Sequence, residues 1–161
     1  TIRKLKDGVE DGVPEPDPVL EISVDGYIPD DYIADPRYKL ELYRRFAGLD
    51  YAGRGDLLDE IIDRFGEPPE EVEVLWRVAC LRALCRLLHI RGISVKQGEI
   101  RITFAENAAV DPAALMQLIG EHQQYMQFKS GAQAQLIFRT VKLKTDSLTW
   151  LEKNLPRLAL D

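Results

Sequence analysis

Cysteine and histidine are scarce, with two of each among 161 residues. Cys80 and Cys85 are five apart on a predicted helix, about 140° around its axis, so they cannot bond to each other there. No C-x-x-C pair is present to indicate zinc or redox chemistry. The two thiols are therefore predicted to be small buried side chains in a reducing compartment. His89 and His122 have no neighbours at ligand spacing, and each is interpreted as a surface or half-buried histidine.

Long hydrophobic runs are also missing. No segment approaches the roughly 20 apolar residues that span a membrane, and no secretion signal opens the chain. With 45% apolar and 30% charged residues, the sequence is typical of one globular domain, which we expect to be cytoplasmic. Because the chain begins at Thr1 rather than methionine, we expect it to be a piece of a longer protein.

Nucleotide-binding and nucleophile motifs are absent from the sequence. There is no G-x-x-x-x-G-K-[ST], no G-x-G-x-x-G opening a helix, and no G-x-S-x-G around any serine. The tripeptide Arg54-Gly55-Asp56 is interpreted as a loop that ends in a helix N-cap. We therefore expect a domain without enzymatic activity or cofactor of its own. A small enzyme with an unrecognised site stays open as an alternative.

Basic residues are outnumbered by acidic ones. The sequence has 21 Lys and Arg and 27 Asp and Glu, which gives a net charge of −6. This balance disfavours general nucleic-acid binding and favours a neutral or basic protein partner. Several Lys and Arg residues nevertheless lie along one predicted helix and near the end of the chain. We interpret them as solvent-exposed residues at helix edges. The alternative is that they form an edge that contacts DNA or RNA polymerase. They are Arg77, which is predicted to pair with Glu73, and Arg82, Arg86, Arg91, Arg139, Lys142 and Lys144.

Hydrophobic periodicity predicts a helical N-terminal half. Residues 1–19 are interpreted as a flexible acidic linker rich in Pro and Gly, followed by a strand over 20–24 and a loop over 27–36 held by its aromatic residues. The apolar spacing predicts helices over 37–47, 56–65 and 70–90, the last with an unbroken apolar stripe that includes Leu87 and Leu88. A final helix is predicted over 146–159, with a kink at Pro156.

The remaining segment alternates as strands do. Residues 93–104 and 125–138 each predict a hairpin, the first with its turn at Gln97-Gly98. A short helix between them begins at Asp111-Pro112, with Val110 and Leu115 placed to form a hydrophobic staple. The order β-β-α-β-β followed by a helix predicts an α+β domain, in which helices cover a mostly antiparallel sheet.

One helix carries an unusual set of carboxylates. Its acids are spaced 3, 1, 3 and 4 residues apart, which predicts one shared face: Asp56, Asp59, Glu60, Asp63 and Glu67. Carboxylates on one helix diverge, which disfavours a metal site, and no predicted cleft would tune them for acid–base chemistry. Two readings remain open: a partner that presents arginines, which pair with carboxylates through two parallel hydrogen bonds, and a solvated polar face.

Three sequence blocks add a resemblance. YIPDDYIADP at 27–36, YKLELYRR at 38–45 and EIIDRFGEPPEEV at 60–72, in this order and spacing, resemble the C-terminal domain of the bacterial transcription-repair coupling factors (Mfd). The similarity extends over about residues 20–159 and includes the arrangement of both hairpins and the helix at Asp111-Pro112. It departs at GLDYAGRG, residues 48–55, where three glycines replace a stretch that is usually polar and helical in relatives.

The resemblance implies a regulatory role for residues 20–161 as a single domain. Parent proteins of this family are ATP- and magnesium-dependent DNA translocases that displace stalled RNA polymerase and recruit the repair protein UvrA. In the family, this domain docks on a UvrB-like N-terminal module of the same polypeptide, masks UvrA binding and restrains the motor. The docking carboxylates of the family match Glu60 and Asp63. The motor motifs themselves are absent from this chain.

Overall fold

The computed structural model describes residues 17–160, which form an α+β domain as the sequence predicts. In chain order the elements are β1 (Val19–Glu21), α1 (Pro36–Ala47), α2 (Arg54–Phe65), α3 (Glu70–Leu88), β2 (Ile90–Lys96), β3 (Glu99–Phe104), α4 (Pro112–Glu121), β4 (Met126–Lys129), β5 (Gln135–Arg139) and α5 (Ser147–Asn154). Short 3₁₀ turns at Tyr51–Gly53 and Leu155–Leu158 precede α2 and follow α5. The predicted final helix is therefore α-helical only as far as Asn154, and the 3₁₀ turn carries Pro156.

The sheet has the order β1-β2-β3-β5-β4 and is antiparallel except where β1 runs parallel to β2. Strand β1 covers Val19–Glu21 rather than the predicted 20–24, and residues 1–16 of the predicted linker lie outside the described part of the chain. Gly92 allows the close approach of β1, because a Cβ there would lie 2.8 Å from the Val19 carbonyl oxygen.

Both predicted hairpins are confirmed. Gln97 and Gly98 form a two-residue turn between β2 and β3 with φ values of 56° and 75°. Positive φ at both positions is the geometry that matches the twist of the flanking strands. The second hairpin pairs β4 with β5, and its tip lies between Lys129 and Gln135. Asp111 caps α4 as predicted, because its carboxylate accepts a hydrogen bond from the Ala113 amide at 3.0 Å.

Helix α3 lies between two hydrophobic cores. One side packs with α1, α2 and the buried Ile28 and Ile33 of the preceding loop. The other side packs on the sheet, α4 and α5. Cys80 belongs to the first core and Cys85 to the second; both are free, and burial raises the pKa of these thiols to about 11 and about 12, respectively. A helix that supplies two cores must be apolar around most of its circumference.

Several details of the helical half differ from prediction. The apolar stripe of α3 is interrupted, since Leu87 is 55% exposed while Leu88 is 1% exposed. In the loop before α1, Tyr32 packs against Phe65 and bonds to Gly66 as the prediction of aromatic anchors requires, whereas Tyr27 is 50% exposed and does not anchor the loop. The tripeptide at Arg54 is the first turn of α2, with Gly53 at the N-cap, rather than a loop that ends at an Asp56 cap.

Candidate functional site

Helix α2 holds the acidic residues away from the core. Its buried side consists of Leu57 and Ile61, at 3% and 2% exposure. The helix ends at Gly66, where φ is 88°, and the Gly66 carbonyl accepts a hydrogen bond from the Tyr32 hydroxyl at 2.6 Å. This bond ties the end of α2 to the loop before α1. Packing of Leu57 and Ile61 on the core therefore fixes the direction in which the acidic side chains on the other side of α2 point.

The structure brings four of the five predicted acids together on α2. Asp56, Asp59 and Asp63 are exposed, and we call these three residues the acidic face. Within the described residues, none of them makes an ion pair or side-chain hydrogen bond. Glu60 lies at the edge of this face, towards α1. Glu67 follows Gly66 and is therefore not part of the helical face that the spacing predicted, although it is also exposed.

Glu60 has a different environment from its neighbours. Its carboxylate accepts hydrogen bonds from Arg45 of α1 and, at 3.5 Å, from Arg64. The Arg64 guanidinium also donates to Glu41 at 3.3 Å, so the four residues form a charge ladder between α1 and α2. The ladder covers Ile61 and Leu42 at the contact of the two helices.

The contacts within the ladder favour the charged forms of Glu60, Arg45 and Arg64. The hydrogen bond from Arg45, with help from Arg64, holds the pKa of the Glu60 carboxyl below its usual range. The same bond raises the pKa of Arg45, and the bond to Glu41 raises that of Arg64. Glu60 is therefore a carboxylate that already has guanidinium partners, whereas the acidic face consists of carboxylates without any. These are two different kinds of site on one helix.

The sequence reasoning missed the ladder. Arg64 follows Glu60 by four residues, a spacing that itself indicates a helix-surface pair. Arg45 lies 15 residues away, and only the packing of α1 on α2 brings it to Glu60. No signal in the sequence could have shown this second contact.

Two of the three arginines of α3 serve internal contacts. Arg77 pairs with Glu152 of α5 through donor–acceptor distances of 2.9 and 2.6 Å and also donates to Thr149, so the predicted pairing with Glu73 is wrong. Arg86 donates to the carbonyls of Ala47 and Leu49 and to Asp17. Two members of the proposed arginine edge are thus committed to holding the domain together, which weakens the case for DNA or polymerase contact through this helix.

Residues 17–160 contain no group of three or more His, Cys, Asp or Glu side chains that could hold a metal ion. Among the helices of this part of the chain, there is no candidate for a membrane-spanning segment. His122 packs against the rings of Phe138 and Trp150, with centroids 4.9 and 5.8 Å away, and His89 is half-buried at the end of α3. The surface of α2, with its exposed carboxylates, is the candidate functional site.

Comparison with known families decides the classification. The sequence profile of the TRCF domain family matches residues 22–115, which are more than half of the chain. The matched part contains the whole α1–α3 region together with β2 and β3. The chain belongs to the TRCF domain family. The resemblance of the three sequence blocks is thereby confirmed.

Similar full-length proteins are bacterial transcription-repair coupling factors. This TRCF domain is 34% identical to the protein of Bacillus subtilis over 93 residues, covering 57% of this chain and 8% of that protein. It is 28% identical to the protein of Escherichia coli over 135 residues, covering 83% and 12%. The chain thus spans only about a tenth of the length of these relatives.

A solved structure shows the same fold. The crystal structure of the C-terminal domain of a transcription-repair coupling factor superposes with a TM-score of 0.69 and covers 88% of this chain and 94% of that one. Sequence identity over the match is 23%. The sheet, its covering helices and the α1–α3 unit are thus the architecture of that C-terminal domain.

Proposed function

We propose that this TRCF domain is a regulatory docking domain of a transcription-repair coupling factor. Its α2 surface binds arginines of a UvrB-like N-terminal module in the same polypeptide. In the docked state the UvrA-binding surface of that module is masked, and the ATP-driven motor is restrained. Undocking releases both, so that UvrA, RNA polymerase and DNA are engaged through the rest of the parent protein.

The observation that carries the proposal is the acidic face on a fixed helix of a TRCF domain. Three exposed carboxylates without partners among the described residues are available to guanidinium groups, which pair with carboxylates through directional, bidentate hydrogen bonds. The family resemblance implies that Glu60 and Asp63 would be the docking carboxylates. Of these two, Asp63 is free to bind at once, whereas Glu60 has to share its charge with Arg45 and Arg64.

Weak individual contacts suit a latch that must open. Exposed ion pairs contribute only about 0.2–1 kcal/mol each, so carboxylates alone give a reversible contact. Helix α1, which joins α2 through the charge ladder, exposes Leu40 at 50% and Tyr43 at 39%. Burial of such apolar side chains would add affinity without charge. The covalent connection within the parent would raise the effective concentration of the two modules.

The test is a titration of this domain with the UvrB-like module, comparing the wild type with Glu60→Ala/Asp63→Ala. We expect binding that weakens with salt and that the double variant loses. A matched control, Asp25→Ala/Glu106→Ala, removes two exposed carboxylates from outside α2 and changes the net charge equally. It is expected to bind like the wild type. Urea unfolding of each variant verifies that the fold is retained.

Two results would contradict docking through α2. Equal binding by the wild type and the α2 variant would place the contact on another surface. Equal losses in the α2 variant and the control would mean that net charge rather than this helix drives association. If the separate modules do not associate at all, the comparison is repeated in a tethered fusion, with proteolysis of the linker-joined modules as the readout of docking.

A further inference from the structure

Charge is divided unequally between the two parts of the domain. From residue 17 through the first turn of α3 at residue 73, the chain has sixteen Asp and Glu and six Lys and Arg, a net charge of −10. From residue 74 to residue 160, it has six Asp and Glu and twelve Lys and Arg, a net charge of +6. The overall charge of −6 therefore hides a basic half, which contains four of the five strands.

The basic half leaves one face of its sheet open. Alternate residues of β3 and β5, such as Ile102 and Leu136, point into the core beneath the helices. The opposite, open face is polar and consists of the remaining residues of β2 to β5. In β2 to β5 the charged residues that alternation places on this face are the cations Lys96, Arg101, Lys129 and Arg139 and the acid Glu99, and β1 adds the exposed acid Glu21 opposite Ser94.

Two of these cations are not committed to the fold. Lys96 and Lys129 make no ion pair or side-chain hydrogen bond within residues 17–160, in contrast to Arg77, Arg86 and Arg157. Arg139 makes no ion pair there either, but its guanidinium donates to the Gln124 carbonyl at 2.6 Å, and Arg101 pairs with Glu99. Two more exposed cations without such a pair, Lys142 and Lys144, follow β5, and the Thr140 amide just before them bonds to the turn at Gly98 at 2.9 Å.

The open face also has a groove. It runs beside β4, has a volume of about 470 Å³, and is floored by Ile137, which is 7% exposed. Strand register sets Ile137 between Arg101 and Gln127. The groove wall adds the ring of Tyr125, with the Arg139 guanidinium 5.8 Å from its centroid, and the amides of Gln123 and Gln124.

We propose that this open face binds the backbone and bases of a single-stranded nucleic acid. Lys96, Lys129 and Arg139 supply charges for phosphates, and Tyr125 with its stacked guanidinium supplies a surface for a base. The glutamine amides of the groove, which can donate and accept together, match the edges of bases. An acidic peptide could also pair with the cations and the amides, but its backbone has no planar base to stack on the Tyr125 ring, so nucleic acid is the better match. The face is separate from α2, and the proposal is independent of docking.

The test measures fluorescence anisotropy of a labelled oligothymidylate of about 12 nucleotides with the full 161-residue chain, over a series of salt concentrations. We expect salt-sensitive binding by the wild type. Lys96→Glu/Lys129→Glu should weaken it at least tenfold at low salt and reduce the slope of log K against log salt by about 1.4, for two phosphate contacts. The control Arg44→Glu/Lys153→Glu changes the net charge equally at exposed positions away from the sheet and should retain most of the binding.

Three outcomes would overturn the proposal. The first is no binding by the wild type at low salt. The second is an equal loss in the sheet variant and the control, which would indicate general electrostatics. The third is equally tight binding of a poly-glutamate of the same length, which would make the face a site for any polyanion. Circular dichroism of each variant excludes misfolding as the cause of a loss, since all four substituted positions are exposed.

Discussion

At the scale of single residues, Glu60 and Asp63 look equivalent in sequence but have different neighbours in the structure. Both are acids on α2, three residues apart. Asp63 is exposed and unpaired within the described chain, whereas Glu60 accepts from Arg45 and Arg64. A guanidinium from a partner must therefore compete with an internal guanidinium at Glu60 but not at Asp63. If the proposed docking uses Glu60, Arg45 would regulate its strength.

This competition makes Arg45 testable. In Arg45→Gln the Glu60 carboxylate loses its first hydrogen-bond donor and is freer to bind an arginine of the UvrB-like module. We expect this variant to bind the module about threefold more tightly, the scale of one exposed ion pair. The measurement is a titration at low salt. The control is Arg44→Gln, which removes the same charge at the adjacent exposed residue, where no ion pair with a described residue exists.

The comparison between the two glutamine variants shows whether a gain in binding comes from release of Glu60 or from the change in net charge. If Arg44→Gln binds as tightly as Arg45→Gln, the gain comes from the change in net charge rather than from release of Glu60. If Arg45→Gln binds more weakly than the wild type, the charge ladder orients Glu60 for the partner instead of competing with it.

At the scale of elements, α3 determines how the domain is assembled. Its residues enter two cores, so most of its surface must be apolar, and the sequence pattern alone does not show where one core ends. The exposed Leu87 lies between residues of the sheet core, next to the fully buried Leu88. This arrangement offers a matched pair of substitutions within one turn of one helix.

Truncation of the two leucines should have very different effects. Leu88→Ala is expected to lower the free energy of unfolding by about 2–5 kcal/mol, because it removes buried methyl groups and leaves a cavity against the sheet. Leu87→Ala should change it by no more than about 0.5 kcal/mol, since its side chain is more than half exposed. Urea unfolding at neutral pH measures both. Similar losses in the two variants would show that Leu87 is buried in solution.

At the scale of the whole molecule, ion pairs connect elements that are distant in sequence, and a local cap secures the start of α5. Arg157 beyond α5 donates to Glu121 at the end of α4 at 3.0 and 2.6 Å, and this contact lowers the pKa of Glu121. The pKa values of Glu60 and of the α5 cap Asp146 are lowered too, by hydrogen bonds from Arg45 and Thr149, respectively. Each of these carboxylates is thus more acidic in the folded chain than in the unfolded one.

The sign of the pH effect follows from these shifts. A carboxyl with a lowered folded pKa stabilises the fold above its unfolded pKa, and this stability is lost as pH falls through the folded value. The ordinary values are 3.8 for Asp and 4.5 for Glu. We expect a constant urea midpoint above about pH 5 and a decline below about pH 4.5. Glu121→Gln should lower the midpoint at pH 7 and flatten the decline, and an unchanged wild-type midpoint at pH 3 would contradict the assignment.

Much of the architecture was predictable because its signals are local. The turn at Gln97-Gly98 and the cap at Asp111-Pro112 each depend on the conformational preferences of one or two residues. The α+β class followed from the order of these segments, and the family followed from three blocks in fixed order. The short β1 was predicted less well, since its pairing with β2 joins residues about 73 positions apart.

The fold class, the family and the carboxylates along one side of α2 can all be read from the sequence, because periodicity and turn chemistry act over a few residues. The difference between those carboxylates arises only when the chain is folded. Packing of α1 on α2 delivers Arg45 to Glu60, and packing of α5 on α3 delivers Glu152 to Arg77. Ion pairing depends on distance in space, and the folded chain alone sets the distances between residues far apart in sequence.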